Sequence, residues 1–193
     1  MTVIKDGGGT GKLVKVNDYN QLDVNSVSLA EPIYIAREFG DYYTANFPAT
    51  TSNSINEHIV LWLRNDNASK KIFIYNYIFG YNGGNTNHNR CMRFKVYRNP
   101  GVPTANYTSV TINSVNYTST SISNVTAYKW NGIGDGMTLT GSPVSASDII
   151  VGIGLTMYTT EGVPILGYGN SIAISLIPEE IGDFNTFVRF YME

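Results

Sequence analysis

The sequence predicts an all-β protein: a single β-sandwich or jelly-roll-like domain over residues 31–193, preceded by an extended N-terminal arm over residues 1–30. Three observations carry that prediction. Charged residues make up only 15% of the 193-residue chain and hydrophobic residues 42%, so Asn, Ser, Thr, Tyr and Gly must cover much of the surface. Low charge with many β-branched and aromatic residues fits half-buried pleated surfaces and argues against disorder. Short extended runs then alternate with Gly, Pro, Asn and Asp turn signals along the body, leaving room for helical turns only near 36–39 and 179–181.

The arm comes first. Val3, Ile4 and Lys5 form a short extended piece, and Asp6-Gly7-Gly8-Gly9-Thr10-Gly11 follows, where glycine makes regular structure entropically costly. Leu13, Val14 and Val16 resume the extended pattern, residues 17–20 turn, and Leu22, Val24 and Val27 extend again. So few apolar side chains cannot close a core. The arm must lie on the body, on a neighbouring copy or on another protein.

In the body, residues 57–64 (EHIVLWLR) place Ile59, Leu61 and Leu63 on one face, and His58, Val60, Trp62 and Arg64 on the other. Asn65-Asp66-Asn67-Ala68-Ser69 is turn chemistry, because Asn and Asp hydrogen-bond the nearby backbone. Residues 71–79 (KIFIYNYIF) return as a strand covered on both faces: Phe73, Tyr75, Tyr77 and Phe79 on one, Ile72, Ile74 and Ile78 on the other. This hairpin is the expected heart of the core. A polar loop occupies 81–90, and its Tyr81, Asn82, Asn85 and His88 are candidate ligand contacts.

Residues 91–98 alternate with Met92, Phe94 and Val96 inward, until Asn99-Pro100-Gly101 stops the strand. The Ser/Thr-rich zone 106–130 reads as edge strands or a β excursion. Its twofold Asn-Tyr-Thr-Ser, at 106–109 and 116–119, falls short of a repeat architecture. Strands over 148–158, 170–177 and 184–192 close the chain, the last with Phe184, Val188, Phe190 and Met192 on one face.

Several function classes lose their footing. A formal net charge of −2 and a pI near 5.7 offer no basic surface for nucleic acid. The lone Cys91 excludes an intramolecular disulfide and any multi-cysteine metal site. No run approaches the roughly 18–20 apolar residues of a membrane span. Met1 leads into Thr-Val-Ile-Lys-Asp without an apolar targeting segment, so synthesis in a cytosol is expected and the Asn-x-Ser/Thr sequons reflect composition.

Catalytic motifs fare no better. Gly7 to Lys12 lacks the first glycine of a phosphate-binding loop, and Leu13 stands where that loop needs Ser or Thr; the cluster reads as a hinge. Gly132-Ile133-Gly134-Asp135-Gly136 reads as a turn, with no βαβ unit around it. His58 suits packing, and the pair His88 and Cys91 lacks the further ligands of zinc or an orienting third group. Glu179-Glu180 beside Pro178 suits a solvated turn, and no Asp/Asn series forms a calcium loop. The tyrosines at 42, 43, 75, 77, 81, 107 and 117 suit core or subunit contacts better than a sugar-binding face. No cofactor is implied.

The arm also carries a likeness. Val3-Ile4-Lys5-Asp6-Gly7, Gly9-Thr10-Gly11, the turn at 17–20 and Leu22-Asp23-Val24-Asn25-Ser26-Val27-Ser28 form an ordered series. It resembles the opening of a group of tailed-bacteriophage virion proteins, which begin Val/Ile-Lys-Asp-Gly, then Gly-Thr-Gly, a turn and Leu-x-Val-x-Ser-Val-Ser. The likeness extends loosely into Phe39-Gly40-Asp41-Tyr42-Tyr43 and residues 59–65, roughly the first third of the chain. What it implies is a non-enzymatic virion part made in the host cytoplasm: a capsid decoration (cement) protein, with the major capsid protein or other virion subunits as partners. Such bodies commonly form homotrimers, and the arm, from Val3 to Val27, would bind capsid or neighbouring subunit. A receptor- or glycan-binding module of a head or tail fibre is the alternative.

Overall fold

A computed structural model describes residues 41–83, 92–116, 124–141, 144–151, 154–159 and 165–193. Within them the chain forms β1 (Tyr42–Thr51), β2 (His58–Asn65), β3 (Ile72–Gly83), β4 (Met92–Arg98), β5 (Pro103–Ala105), β6 (Tyr107–Ser109) and β7 (Ile112–Ser114). There follow β8 (Val125–Trp130), β9 (Thr138–Leu139), β10 (Val144–Val151), β11 (Gly154–Thr159), β12 (Ile165–Leu166), β13 (Ser171–Pro178) and β14 (Gly182–Met192).

Two antiparallel sheets result. One runs β11-β3-β14-β1-β7, with β12 also paired to β3; the other runs β10-β4-β13-β2-β8-β6. Setting aside the short strands, β1-β14-β3-β11 is matched by β2-β13-β4-β10. Successive long strands change sheet at every step except from β4 to β10. That double Greek key is the strand order of a jelly roll, so the predicted fold class holds.

The turns that reverse the chain are made by the residues that signalled them. Asn65 is buried and its Nδ2 donates to the carbonyls of Lys70 and Leu166, while its Oδ1 accepts from the Asn67 amide. Asn67 Oδ1 in turn accepts from the amides of Ser69 and Lys70. At the end of β4, Asn99 takes a positive φ of 42° and its Oδ1 accepts from the Ser171 amide, tying the turn to the start of β13.

The core lies between the sheets. Phe79 of β3 meets Phe94 of β4 with ring centroids 4.1 Å apart. Phe47 stacks on Phe184 at 5.2 Å, and Tyr43 on Phe190 at 5.5 Å. Trp130, reaching in from β8, packs parallel to Phe184. Each such ring, fully buried, contributes on the order of 2–3 kcal/mol of transfer free energy.

Four expectations are corrected. Residues 57–64 and 71–79 do not pair as a hairpin: β2 and β3 lie in different sheets and face each other across the core. The faces of β3 do not run unbroken: its register against β14 shifts between Asn76 and Ile74, leaving Tyr75 as an extra residue. Tyr77 and Phe79 therefore share the inner face with Ile72 and Ile74. Phe73 and Tyr75 go outside, where they pack with Tyr42 and Tyr191. The single strand expected over 148–158 is two, β10 and β11, one in each sheet. Residues 179–181 form a bend between β13 and β14, not a helical turn.

Candidate functional site

Of the residues singled out for binding, those of the arm and Asn85 and His88 lie outside the described residues. Tyr81 and Asn82 belong to β3, which runs on to Gly83, and the Tyr81 ring is buried on the inner face. The tyrosines divide by strand position: Tyr43, Tyr77 and Tyr81 are core; Tyr42 and Tyr75 cluster outside the first sheet. Tyr107, at the edge strand β6, packs against Tyr128, which stacks on the buried Trp62. The Arg64 guanidinium lies 5.5 Å from the centre of the Trp62 ring.

Two polar clusters on the described body were not legible in the sequence. The first sits on the outer face of the second sheet. Glu57 Oε1 accepts from Ser175 Oγ at 2.5 Å and from the Tyr97 hydroxyl, and Oε2 lies 3.3 Å from Lys95 Nζ. Strand register brings them together, since Ser175 pairs with Lys95 across β13 and β4. Burial alone would raise the Glu57 carboxyl, but hydrogen bonds from Ser175, Tyr97 and Lys95 outweigh it and hold it below its ordinary value. Burial and the Glu57 hydrogen bond push the Tyr97 hydroxyl up. Ser175 is fully buried beneath this carboxylate, so its hydroxyl is a tie between strands and not an open nucleophile.

The second cluster joins the β1–β2 loop to the loop after β8. Asp135 accepts from Ser54 Oγ at 2.9 Å and Asn56 Nδ2 at 3.0 Å, and the Gly134 carbonyl accepts from Asn53 Nδ2 at 2.8 Å. The hydrogen bonds from Asn56 and Ser54 hold the Asp135 carboxyl below its ordinary range. Beneath, the buried His58 ring stacks on Trp130 at 4.9 Å, with Nε2 3.2 Å from the Ser54 carbonyl oxygen. The glycine series 132–136 is thus a turn, as expected, pinned to the β1–β2 loop, and each of the two loops exposes an isoleucine, Ile133 and Ile55.

Other ionisable groups hold structure in the same manner. Asp66 bonds Arg64 Nε at 2.6 Å and the Thr126 hydroxyl, and Asp41 pairs with Lys70 at 2.7 Å. Among the described residues, no group of three His, Cys, Asp or Glu is placed to hold a metal ion. A shallow groove of about 390 Å³ runs past Gly80, Leu155, Asp183 and Asn185. No protein-family model and no curated protein matches the chain.

Proposed function

We propose that this chain is a non-enzymatic structural protein of a bacteriophage particle, a capsid decoration or cement protein that binds the capsid surface and stabilises it through inter-subunit contacts. The observation that carries the reading is the ordered arm series, Val3-Ile4-Lys5-Asp6-Gly7 through Leu22-Asp23-Val24-Asn25-Ser26-Val27-Ser28, joined to a jelly-roll body. The body supports it in one further respect. Glu57, Asp66 and Asp135 each spend their acceptor capacity on fastening strands or loops of the body itself.

The mechanism is additive. Contacts worth about 25 cal/mol per Å² of buried apolar area, multiplied by particle symmetry, resist internal pressure without chemistry. An arm that orders on docking loses affinity to its ordering entropy, but it reaches across several subunits.

Deletion of residues 1–28 tests the reading. The expected product is a cooperatively folded body that no longer joins particles lacking the protein. Full decoration by the truncated chain refutes the arm's role. A specific glycan-array signal that is lost in Tyr107→Ala would instead establish the fibre-type glycan-binding module.

A further inference from the structure

The two narrow sides of the sandwich are built differently. On one side the sheets end in β6 and β7, three residues each and rich in Ser, Thr and Asn. Very short polar edges are how soluble proteins discourage strand addition. On the other side the sheets end in β10 and β11, of eight and six residues, which approach each other across the sandwich. Among the described residues, no strand lies beyond either. These long edges carry little of the usual protection: no Lys, Arg, Glu or Pro, a single charged residue, Asp148, and one register shift, in β10 between Ser145 and Ser147. Four of their apolar side chains stand in solvent instead: Val144 is 69% exposed, Ile150 67%, Leu155 72% and Met157 60%, while Ile149 and Val151 of β10 turn into the core. Beside Leu155, the buried Asn185 Oδ1 has no donor among the described residues.

We infer that the β10–β11 side is the contact between copies of this chain, deepening the structural role proposed above and resting on it. The occupant is a second copy because the two edge strands carry a single charge, Asp148, between them. A like surface meets little repulsion there, whereas a dissimilar partner is usually selected by complementary charge. The dimensions suffice. A strand of β10's length spans about 27 Å, and two sheets about 10 Å apart with flanking side chains make a strip roughly 20 Å wide. That is roughly 500 Å² on each copy and about 1,000 Å² in total, the size at which specific interfaces begin. Pairing of the edge strands adds main-chain hydrogen bonds to the apolar contact.

Light scattering of the full-length chain at micromolar concentration tests this. The wild type is expected at a multiple of its 21.3 kDa chain mass. The double variant Leu155→Lys/Ile150→Lys is expected at the single-chain mass with its cooperative melt retained; if it does not fold, Leu155→Thr/Ile150→Thr replaces it. The control Ile55→Lys/Ile133→Lys, on the loop tip, keeps the wild-type mass. A monomeric wild type, an edge variant that stays assembled, or a control that dissociates equally overturns the inference. Particle binding separates it from the role it rests on. A wild type that decorates particles as a monomer sinks the edge contact alone, and one that assembles through this edge but never joins particles sinks the virion role alone.

Discussion

Gly136→Ala tests how the loop after β8 is seated on β2. Gly136 has a φ of +91°, and a Cβ there would lie 2.5 Å from the Ile59 nitrogen and 2.7 Å from the His58 Cα. Both are backbone atoms, so no side chain can swing aside. The loop is further held by the Met137 amide donating to the Ile59 carbonyl and by Asn106 Nδ2 donating to the Gly136 carbonyl. Gly132 is the internal control, with a similar φ of +85° but nothing within 4 Å of its Cβ position. The positive φ costs alanine about 1–2 kcal/mol at either site, offset by about 0.4–1 kcal/mol from a less disordered unfolded chain. Gly132→Ala is therefore expected to lose about 1 kcal/mol. Gly136→Ala adds the overlap, about 1–3 kcal/mol for forcing atoms into packed space, for a total of about 2–4 kcal/mol. At about 2–4 °C per kcal/mol for a chain of this size, its melting temperature falls by roughly 5–15 °C. Thermal and urea unfolding followed by tryptophan fluorescence read both variants, since Trp130 stacks on His58 directly beneath the loop. Equal losses in the two variants refute the seating of this loop on β2.

Other expectations follow from the same coordinates. Phe94→Ala removes the ring that meets Phe79 between the sheets and is expected to cost about 3–5 kcal/mol in urea unfolding; a loss below about 1 kcal/mol contradicts the inter-sheet contact. Glu57→Gln keeps the shape but loses the charge that Lys95, Tyr97 and Ser175 face. Allowing for its partial exposure, it costs about 1–2 kcal/mol at neutral pH. The Glu57 carboxyl is depressed in the folded state, so its contribution is present above its ordinary value of 4.5 and lost as pH falls through the lower, folded value. Unfolding free energy measured from pH 6 downward is expected to fall less steeply for Glu57→Gln than for wild type. Parallel curves count against the cluster.

The strand pattern was legible wherever one face is buried throughout. Met92, Phe94 and Val96 point inward as their alternation requires, and so do Phe184, Val188 and Phe190. It misled at Tyr75, because a bulge shifts the register by one residue and leaves no mark over 72–79, where every residue but Asn76 is apolar or aromatic. Residues 148–158 read as one strand because apolar residues continue through the crossing; Gly154, with a φ of +116°, was the available signal. The Glu57 cluster was beyond sequence reasoning for another reason. Residues 57, 95, 97 and 175 meet only through the pairing of β13 with β2 and β4. The apolar side chains of β10 and β11 were visible as composition, but which strands end a sheet is a property of the topology alone.

The position of β14 has a consequence for how the chain reaches its fold. It lies in the middle of a sheet, between β1 and β3, and its register with β1 joins Tyr42 to Tyr191. The sheet cannot zip up from neighbouring segments, so loop closure over most of the body precedes its central contacts, which places folding in the slow range of roughly milliseconds to seconds. Until residues 182–192 have left the ribosome, β1 and β3 have no partner between them, and their aromatic faces are open to the wrong one. Rapid synthesis at high temperature should therefore favour inclusion bodies over soluble protein, and slowing expression should restore the yield.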